Sequence, residues 1–329
     1  EIMTIQTDDI LEIPFNEDAW QRGVDYAMKS IFFTFNRMAT SSLHKRAERI
    51  AIGVGLGEWS LEHYLNTNKI KPSFGGRTAW FREDKNDFIL NGLKTDIKAF
   101  HLDENNNFHN KNFFDKKKNN RLKYIINNCK FLVPVDQFNT ITKKDIYFCS
   151  VIEGKFLNNS PKKGVHFFWD YKWWKNRTPT GGALGRIKIE KSSMDKHIKL
   201  RLLGTKKQKE FYEEIIDIKE KNVVYSKNEF DDLFTCSQII NNPKGKLTIS
   251  SEKKNISLDI KVWPSLSYQC SNIFLIGWCS RKDIEVNGDR LPRFSKDTGF
   301  YQDTKTDNIG ISCSNLLPMK ELKNYINGK

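Results

Sequence analysis

The chain has 329 residues, and its 54 lysines and arginines outnumber its 40 acidic residues, which gives a net charge of +14. Such a surplus favours a nucleic-acid partner, DNA or RNA, or an anionic membrane surface. No run of about 18 apolar residues is present, so we expect no membrane-spanning segment. The six cysteines form no Cys-x-x-Cys pair and the first residues show no signal segment, which argues against a zinc site and indicates a cytoplasmic protein.

Two helices are predicted at the start of the chain. Apolar residues recur at helical spacing over 17–38, and two serines supply an N-cap for a second helix over 41–64. Gly53, Gly55 and Gly57 interrupt this second helix, and each costs up to about 1 kcal/mol relative to alanine. The cost predicts either a break in the helix or close approach by a neighbouring backbone or by DNA.

A strand, a tight turn and a second strand are predicted over residues 87–98. Asn91-Gly92 between apolar-rich runs is the strongest short hairpin signal, because both residues tolerate the positive φ of such a turn. Side chains alternate along a strand, so Asp96 and Lys98 share one face. The hairpin brings Asp87 back to the same end. Two carboxylates and an ammonium at a sheet edge can hold a hard divalent cation and activate water beside it.

The spacing Asp-x8-Asp-x-Lys resembles the active-site signature of the PD-(D/E)xK nuclease superfamily, to which most type II restriction endonucleases belong. That signature places an acid at the start of one strand and acid-x-Lys on the next, and a third acid usually comes from the preceding helix. Glu58 is the candidate third acid, with Glu62 or Glu48 as substitutes. Asn86 departs from the signature, which has proline there. The resemblance covers roughly residues 40–150, with a return near the C-terminus.

The resemblance implies an α/β fold with a restriction-endonuclease-like core, in which helices flank a mixed central sheet. It also implies metal-dependent hydrolysis of phosphodiester bonds in double-stranded DNA. Asp87, Asp96 and the backbone carbonyl of Ile97 would hold Mg²⁺, with Mn²⁺ as a substitute. Lys98 would orient the attacking water, and Glu58 would assist through an outer-shell water or a second metal. The alternative interpretation of the same residues is a charged hairpin at a solvated sheet edge.

Beyond the hairpin, an asparagine-rich surface loop is predicted over 101–120. It contains Lys116, Lys117 and Lys118, which either lie near the scissile phosphate or belong to an ordinary solvated loop. The elements predicted next are a helix at 121–129 and two later strands of the core, at 131–135 and 146–152. An earlier strand is predicted at 78–81.

Residues 153–268 change character and predict a β-rich module inserted into a core formed by 1–152 and 269–329. Its evenly spaced strands are predicted at 185–190, 197–203, 213–218, 247–251 and 256–262. Near its start lies a cluster of aromatic and basic side chains that suits stacking on bases and contact with phosphates of a nucleic acid. The candidate nucleic-acid-binding residues of this cluster are Lys172, Trp173, Trp174, Lys175 and Arg177. The other interpretation is that the tryptophans fill the junction between the two modules.

The chain then returns to the core through a strand at 271–280 and a closing amphipathic helix at 316–326. His101 and His109 could suggest a histidine-dependent nuclease site, whereas the lack of a GxxxxGK[ST] loop argues against ATP-driven activity. Three alternatives to a restriction-like enzyme stay open: a DNA-binding protein with an inactive nuclease-like fold, a repair or homing nuclease, and an RNA-directed nuclease. A homodimer would suit cleavage of both strands of a palindromic site, but no residue indicates one.

Overall fold

A computed structural model describes residues 5–31, 43–75, 87–105, 112–139, 144–157, 165–168, 183–191, 198–206, 210–218, 223–238, 247–254, 257–260 and 265–328. The chain divides into two compact units. Unit 1 comprises Glu1–Ala27, Phe33–Lys155 and Gln269–Lys329, and unit 2 comprises Met28–Phe32 and Phe156–Tyr268. The inserted module was predicted at 153–268. The predicted strand at 78–81 and the candidate residue His109 lie outside the described residues.

In these ranges the strands, numbered in chain order, are β1 Leu11–Glu12, β2 Phe74–Gly75, β3 Phe88–Leu90, β4 Leu93–Asp103, β5 Lys130–Pro134, β6 Ile146–Phe156, β7 Val165–Phe168, β8 Ile187–Lys191, β9 Ile198–Lys206, β10 Glu210–Ile218, β11 Val223–Tyr225, β12 Asp232–Gln238, β13 Leu247–Ser251, β14 Ser257–Ile260, β15 Ser265–Leu266, β16 Tyr268–Ser280, β17 Asp289–Leu291 and β18 Asn308–Ser312.

The helices are α1 Glu17–Ser30, α2 Leu43–Ile50, α3 Glu58–Thr67, α4 Lys118–Asn128, α5 Val135–Asn139, α6 Arg281–Asn287 and α7 Leu322–Asn327. A π-helix over Ala51–Gly57 joins α2 to α3, and short 3-10 turns occupy Thr7–Asp9, Cys313–Asn315 and Met319–Glu321. Among the helices of the described ranges, none has the length and apolar character needed to cross a membrane.

Unit 1 is built on a six-stranded mixed sheet with the order β1-β16-β6-β4-β3-β2. Strands β4 and β6 run parallel, whereas β2, β3 and β4 form an antiparallel meander. Strand β6 is buried over nearly its whole length, which explains its continuous apolar sequence, since a strand covered on both faces does not alternate. The predicted mixed α/β class, with a mixed central sheet and several helices, is confirmed.

One buried cluster of unit 1 lies on the face of this sheet that is covered by α4 and a second sheet. Alternate residues of β4 and β6 enter that core, including Phe100, Leu102 and Val151, and α4 contributes Leu122 and Ile125. The second sheet has three strands in the order β17-β18-β5. The strand predicted at 131–135 is present in unit 1 as β5, and it belongs to this second sheet and not to the central one. A short apolar run indicates burial but does not say which sheet the strand joins.

The predicted surface loop at 101–120 is wrong at both ends. Strand β4 continues through Asp103 because Phe100 and Leu102 are buried in the core, and α4 begins at Lys118. At the start of the chain, α1 ends at Ser30, earlier than the predicted 38.

Two of the three glycines in the π-helix, Gly55 and Gly57, are closely packed against neighbouring elements. A Cβ atom on Gly23 of α1 would lie 2.4 Å from the Cα atom of Gly55, and one on Gly57 would lie 2.7 Å from the Cβ atom of Ala99 in β4. A Cβ atom on Gly53 would meet nothing within 4 Å. The predicted close approach of a neighbouring backbone is thus confirmed for Gly55, where the α1 backbone comes nearest.

Unit 2 consists of two antiparallel sheets, in the orders β10-β9-β12-β7-β15 and β11-β8-β13-β14. Both sheets contribute to one buried cluster, in which Leu200, Ile216 and Phe230 accompany Ile189 and Ile249. The β-rich character predicted for this part of the chain is present. The structure adds β7, β11, β12 and β15 to the five predicted strands.

Candidate active site

The β3–β4 hairpin carries the candidate site and has the predicted turn. Asn91 and Gly92 adopt φ values of 47° and 82°, and the register pairs Leu90 with Leu93. The side-chain amide of Asn91 donates to the carbonyl oxygen of Ile326 over 2.7 Å, which attaches the turn to α7. The hairpin geometry therefore rests on a local turn and on one long-range bond.

Asp87 directly precedes β3. The register pairs Phe88 with Thr95, and one further pair sets Asp87 opposite Asp96. The Asp87 carboxylate accepts a 2.6 Å hydrogen bond from the backbone N–H of Ile97. Because a paired strand residue directs its N–H and C=O groups to the same edge, the Ile97 carbonyl faces that edge as well. The structure thus brings together the predicted oxygen donors of Asp87, Asp96 and Ile97.

Asp96 and Lys98 share one face of β4 and form an ion pair between Asp96 Oδ2 and Lys98 Nζ. Their side chains are only 13% and 18% exposed. Asp96 Oδ2 is buried and accepts no hydrogen bond of good geometry within the described ranges. A carboxylate so withdrawn from water retains unused capacity to accept hydrogen bonds or to bind a cation.

Tyr147 is a neighbour of Asp96 that the sequence did not indicate. The parallel register of β4 and β6 pairs the two residues directly, and Tyr147 is 1% exposed. Its hydroxyl makes no hydrogen bond of good geometry to any residue that the structure describes. Burial raises the pKa of Tyr147, the negative charge of Asp96 raises it further, and Arg281 opposes the rise. The phenol is therefore a protonated donor beside the carboxylate.

Arg281, the first residue of α6, is held firmly beside Tyr147. Its guanidinium lies 4.0 Å from the centroid of the Phe138 ring and donates to the Phe138 carbonyl over 2.8 Å. A further 2.8 Å hydrogen bond runs from its Nε atom to Glu285. A guanidinium has donors only, so it can donate to the Tyr147 hydroxyl but leaves the tyrosine proton available to Asp96.

The structure places Glu58 at the start of α3. Its neighbour Gly57 packs on Ala99, whose side chain projects from the face of β4 opposite to that of Asp96. The described part of the chain contains no group of three His, Cys, Asp or Glu side chains able to hold a metal. Glu58 therefore does not join Asp87 and Asp96 in a three-acid cluster.

Both substitutes for Glu58 are paired with cations. Glu62 contacts Arg22 over 3.2 Å, and Glu48 contacts His44 over 3.0 Å and Lys45 over 2.7 Å. The Glu48 side chain is only 5% exposed, and both of its partners belong to the same helix, α2. Neither acid is available in this arrangement to replace Glu58.

The three lysines at 116–118 do not lie beside the acids. Lys118 pairs with Glu12 over 2.6 Å, and the carbonyl of Lys116 accepts a hydrogen bond from Arg121. Arg121 in turn makes two hydrogen bonds to Glu153, which is opposite Leu102 in the register. Leu102 is six residues along β4 from Asp96, about 20 Å at the rise of an extended strand. Lys116 and Lys118 are thus held by contacts away from the acids, whereas contact of Lys116, Lys117 and Lys118 with nucleic acid stays a prediction.

Lys172, Trp173, Trp174, Lys175 and Arg177, the other predicted nucleic-acid contacts, lie outside the described residues. Comparison of the chain with models of known protein families, with curated proteins and with solved structures finds no match.

Proposed function

We propose that this protein is a Mg²⁺-dependent endonuclease that hydrolyses phosphodiester bonds in double-stranded DNA, on a restriction-endonuclease-like core. The observation that carries the proposal is the β3–β4 hairpin, which sets Asp87 opposite Asp96 and places Lys98 on the same face as Asp96. The order of helix, strand, hairpin and acid-x-Lys agrees with the nuclease signature that the spacing resembles. The net charge of +14 supports a polyanionic substrate.

The oxygen atoms of the hairpin fit a hard divalent cation. Mg²⁺ sites in proteins commonly use one or two carboxylates, with water and substrate phosphate completing the coordination. Asp87 and Asp96, with the Ile97 carbonyl, would supply such a set, and Mn²⁺ would substitute. The buried Oδ2 atom of Asp96, which lacks a well-formed hydrogen bond within the described ranges, supports this assignment. When bound, the cation would stabilise charge on the phosphate and lower the pKa of a water molecule.

The side chains around the acids have separate tasks in this proposal. Lys98 Nζ would orient the attacking water and offset the charge that develops on the phosphate. Tyr147 would donate a hydrogen bond to the Asp96 carboxylate, and Arg281 would fix the tyrosine hydroxyl by donating to it. Such outer partners orient a ligating carboxylate. In the reaction a water oxygen bonds to phosphorus, the bridging P–O bond breaks, and the released sugar oxygen takes up a proton.

Two observations favour a second function, that of a DNA-binding protein with an inactive nuclease-like fold. Glu58 does not complete a three-acid cluster in the described residues, and one Asp87 oxygen is used by the backbone of Ile97. Both features reduce the number of charged oxygen atoms available to a cation. This function keeps the fold and the affinity for DNA and lacks cleavage.

The two functions are separated by incubating supercoiled plasmid with the purified protein in Mg²⁺ or EDTA. We expect nicked or linear DNA in Mg²⁺ only. Asp96→Asn and Asp87→Asn should slow cleavage by at least about 100-fold, since each removes a charged ligand, and should leave DNA binding intact. Asp103→Asn, at the other end of β4, is the matched control and should cut normally. DNA binding without cleavage by the parent protein would establish the second function instead.

Lys98→Ala should lose turnover while metal affinity changes little, because the ammonium is proposed to act on water and phosphate. Lys94→Ala removes an exposed lysine of the same strand and should cut at the parent rate. If Lys98→Ala cuts as fast as Lys94→Ala, the role assigned to Lys98 is wrong. Full activity on an RNA duplex with none on DNA would contradict the proposed substrate.

A further inference from the structure

The connection between β17 and β18, residues 292–307, presents an aromatic side chain on strained backbone. Phe294 has a φ of 68° and is 59% exposed. A left-handed φ at a bulky residue is an outlier that glycine or asparagine would adopt with less strain. Burial of the ring does not offset the strain, because the ring is mostly in water. Folding alone therefore gives no reason for phenylalanine at this position.

The strained backbone is held by bonds on both sides of Phe294. Its N–H donates to the carbonyl of Thr304 over 2.8 Å. The Thr304 hydroxyl donates to the Pro292 carbonyl over 2.8 Å and accepts from the Ser295 N–H over 3.0 Å. Thr304 is itself 3% exposed. These bonds fix the backbone at Phe294 and with it the direction of the Cα–Cβ bond, so the connection holds the side chain outward.

Two cations of the connection lie close to Phe294 in the chain. The guanidinium of Arg293 is 4.6 Å from the centroid of the Phe294 ring, and Lys296 follows two residues later. Among the residues that the structure describes, neither cation forms an ion pair. The acids of the connection are each paired with another cation: Asp297 with Lys130, Asp303 with Lys305 and Asp307 with Arg290. An unpaired positive charge therefore accompanies the exposed ring.

The connection is attached to the same face of β4 as the candidate site. Phe300 stacks on Phe100 with ring centroids 4.4 Å apart. Phe100 follows Lys98 by two residues, so the two side chains project from one face. The connection is therefore packed on the face of β4 from which Asp96 and Lys98 also project.

We propose that Phe294 stacks against a base step of duplex DNA while Arg293 and Lys296 contact the adjacent phosphates. The choice of duplex DNA rests on the proposed function. Exposed apolar side chains, phenylalanine among them, are inserted between base steps by proteins that bend or unstack DNA. A ring fixed before binding loses little conformational freedom on contact. In this proposal, the strained backbone at residue 294 is retained because it holds the Phe294 side chain in position to contact DNA.

The test measures binding of a duplex containing 2-aminopurine, in EDTA so that no cleavage occurs. Phe294→Ala should weaken binding about tenfold, as expected for the removal of one aromatic stack, and should abolish the rise in 2-aminopurine fluorescence. Phe294→Gly should bind as weakly but melt at or above the parent temperature, because glycine tolerates the positive φ. Phe15→Ala is the matched control, since Phe15 is 41% exposed on backbone with ordinary φ.

Three results for Phe294→Ala would overturn the inference. They are parent-like binding by Phe294→Ala, an equal loss on the corresponding single strand, and a changed oligomeric state of DNA-free Phe294→Ala, which would indicate contact with a second copy of the chain. A lower melting temperature for Phe294→Gly would assign the ring a structural role and also overturn it. Cleavage in Mg²⁺ is scored separately: if the parent shows the fluorescence change without cutting, the nuclease function fails and the Phe294 contact stands.

Discussion

The fold withdraws Asp96 from water without giving it a full set of hydrogen bonds. Its Oδ2 atom is buried against Lys98, and the hydroxyl of Tyr147, the residue paired with Asp96 in β6, is buried as well. Two buried polar atoms in directly paired positions of parallel strands would be costly in an inert core. The free-energy cost of burying these two oxygen atoms has an explanation if the Asp96 carboxylate binds a ligand.

Tyr147→Phe tests this interpretation because it removes one oxygen and keeps the ring. We expect Mn²⁺ affinity, followed by electron paramagnetic resonance, to fall about tenfold, as for other outer partners of metal ligands. Stability should not fall, since the hydroxyl has no well-formed hydrogen bond to lose within the described residues.

Tyr64→Phe is the control for Tyr147→Phe. Its hydroxyl donates to the Met319 carbonyl over 2.7 Å, so this variant should lose about 1 kcal/mol of stability and bind Mn²⁺ normally. Loss of stability without loss of Mn²⁺ affinity in Tyr147→Phe would show that the hydroxyl is structural.

His101 provides a prediction about pH. Burial lowers its pKa, although Asp103 and Glu48 act in the opposite direction. Below the ordinary histidine pKa of about 6.5, the unfolded chain binds a proton that the folded chain does not, so stability falls as pH falls. His101→Gln should reduce the loss of unfolding free energy between about pH 7.5 and about pH 5.5, measured in urea. His63→Gln, on α3, is the control, and its unfolding free energy should fall with pH as much as that of the parent. An equal fall in the parent, His101→Gln and His63→Gln would contradict the prediction.

At the residue scale, the sequence supplied the part of the site that is local in the chain. Asp87, Asp96 and Lys98 lie within one hairpin, and Asn91-Gly92 encodes its turn. Tyr147 and Arg281 could not be found in the same way, because only the parallel register of β4 and β6 and the packing of α6 bring them to Asp96. Tyr147 in isolation is indistinguishable from an ordinary aromatic residue of a buried strand.

At the level of elements, the crossing of α1 and the π-helix depends on two glycines. A Cβ atom on Gly23 would overlap the backbone of both Gly55 and Ala51, at 2.4 and 2.6 Å. The helices can approach this closely only because neither glycine carries a side chain. The π-helix that follows α2 leads directly to the contact between Gly57 and Ala99.

Gly23→Ala should therefore lower the free energy of unfolding by about 1–3 kcal/mol, the usual cost of overpacking. Gly53→Ala is the matched control, because its Cβ atom meets open space, and it should be neutral or gain up to about 1 kcal/mol from helix propensity. Urea titration of both variants measures the difference. A Gly23→Ala protein as stable as Gly53→Ala would mean that the two helices move apart at little cost.

Secondary-structure elements could be predicted where nearby residues specify them. The neighbours of an element in the fold could not be predicted where they are distant in the chain. The hairpin and the strand at 146–152 follow from turn residues and apolar runs. Contacts between residues far apart in the chain decide that β5 joins β18 and not the central sheet. They also decide that the π-helix packs on the Ala99 face of β4. Apolar periodicity marks which residues are buried, but it does not specify the neighbouring element.

Across the whole molecule, the positive charge is unevenly divided. Unit 2 contains 23 lysines and arginines against 13 acidic residues, which is most of the surplus of the chain. A polyanion should therefore bind unit 2 with the greater electrostatic contribution. This division agrees with the prediction that Lys172, Lys175 and Arg177, which belong to unit 2, contact nucleic acid.

Salt dependence of DNA binding tests that contribution. Replacing Lys172, Lys175 and Arg177 together by glutamine should flatten the log–log dependence of affinity on salt by about 0.9 for every phosphate that is no longer neutralised. The matched triple replacement of Lys116, Lys117 and Lys118 should change it less, since Lys118 is paired with Glu12. Fluorescence anisotropy over a range of salt concentrations measures both. An unchanged slope for the first triple and a large change for the second would place the phosphate contacts in unit 1.

Strand β16 lies between β1 and β6 in the central sheet, yet it follows unit 2 in the chain. A ribosome must therefore translate every strand of unit 2 before the strand that joins β1 to β6 emerges. Until then the hairpin that carries Asp87, Asp96 and Lys98 can pair with β2 and β6, but the sheet ends at β6. A chain stalled during synthesis of the inserted strands would therefore expose the edge of β6 that β16 covers in the finished protein, and an unpaired strand edge is a site at which chains associate.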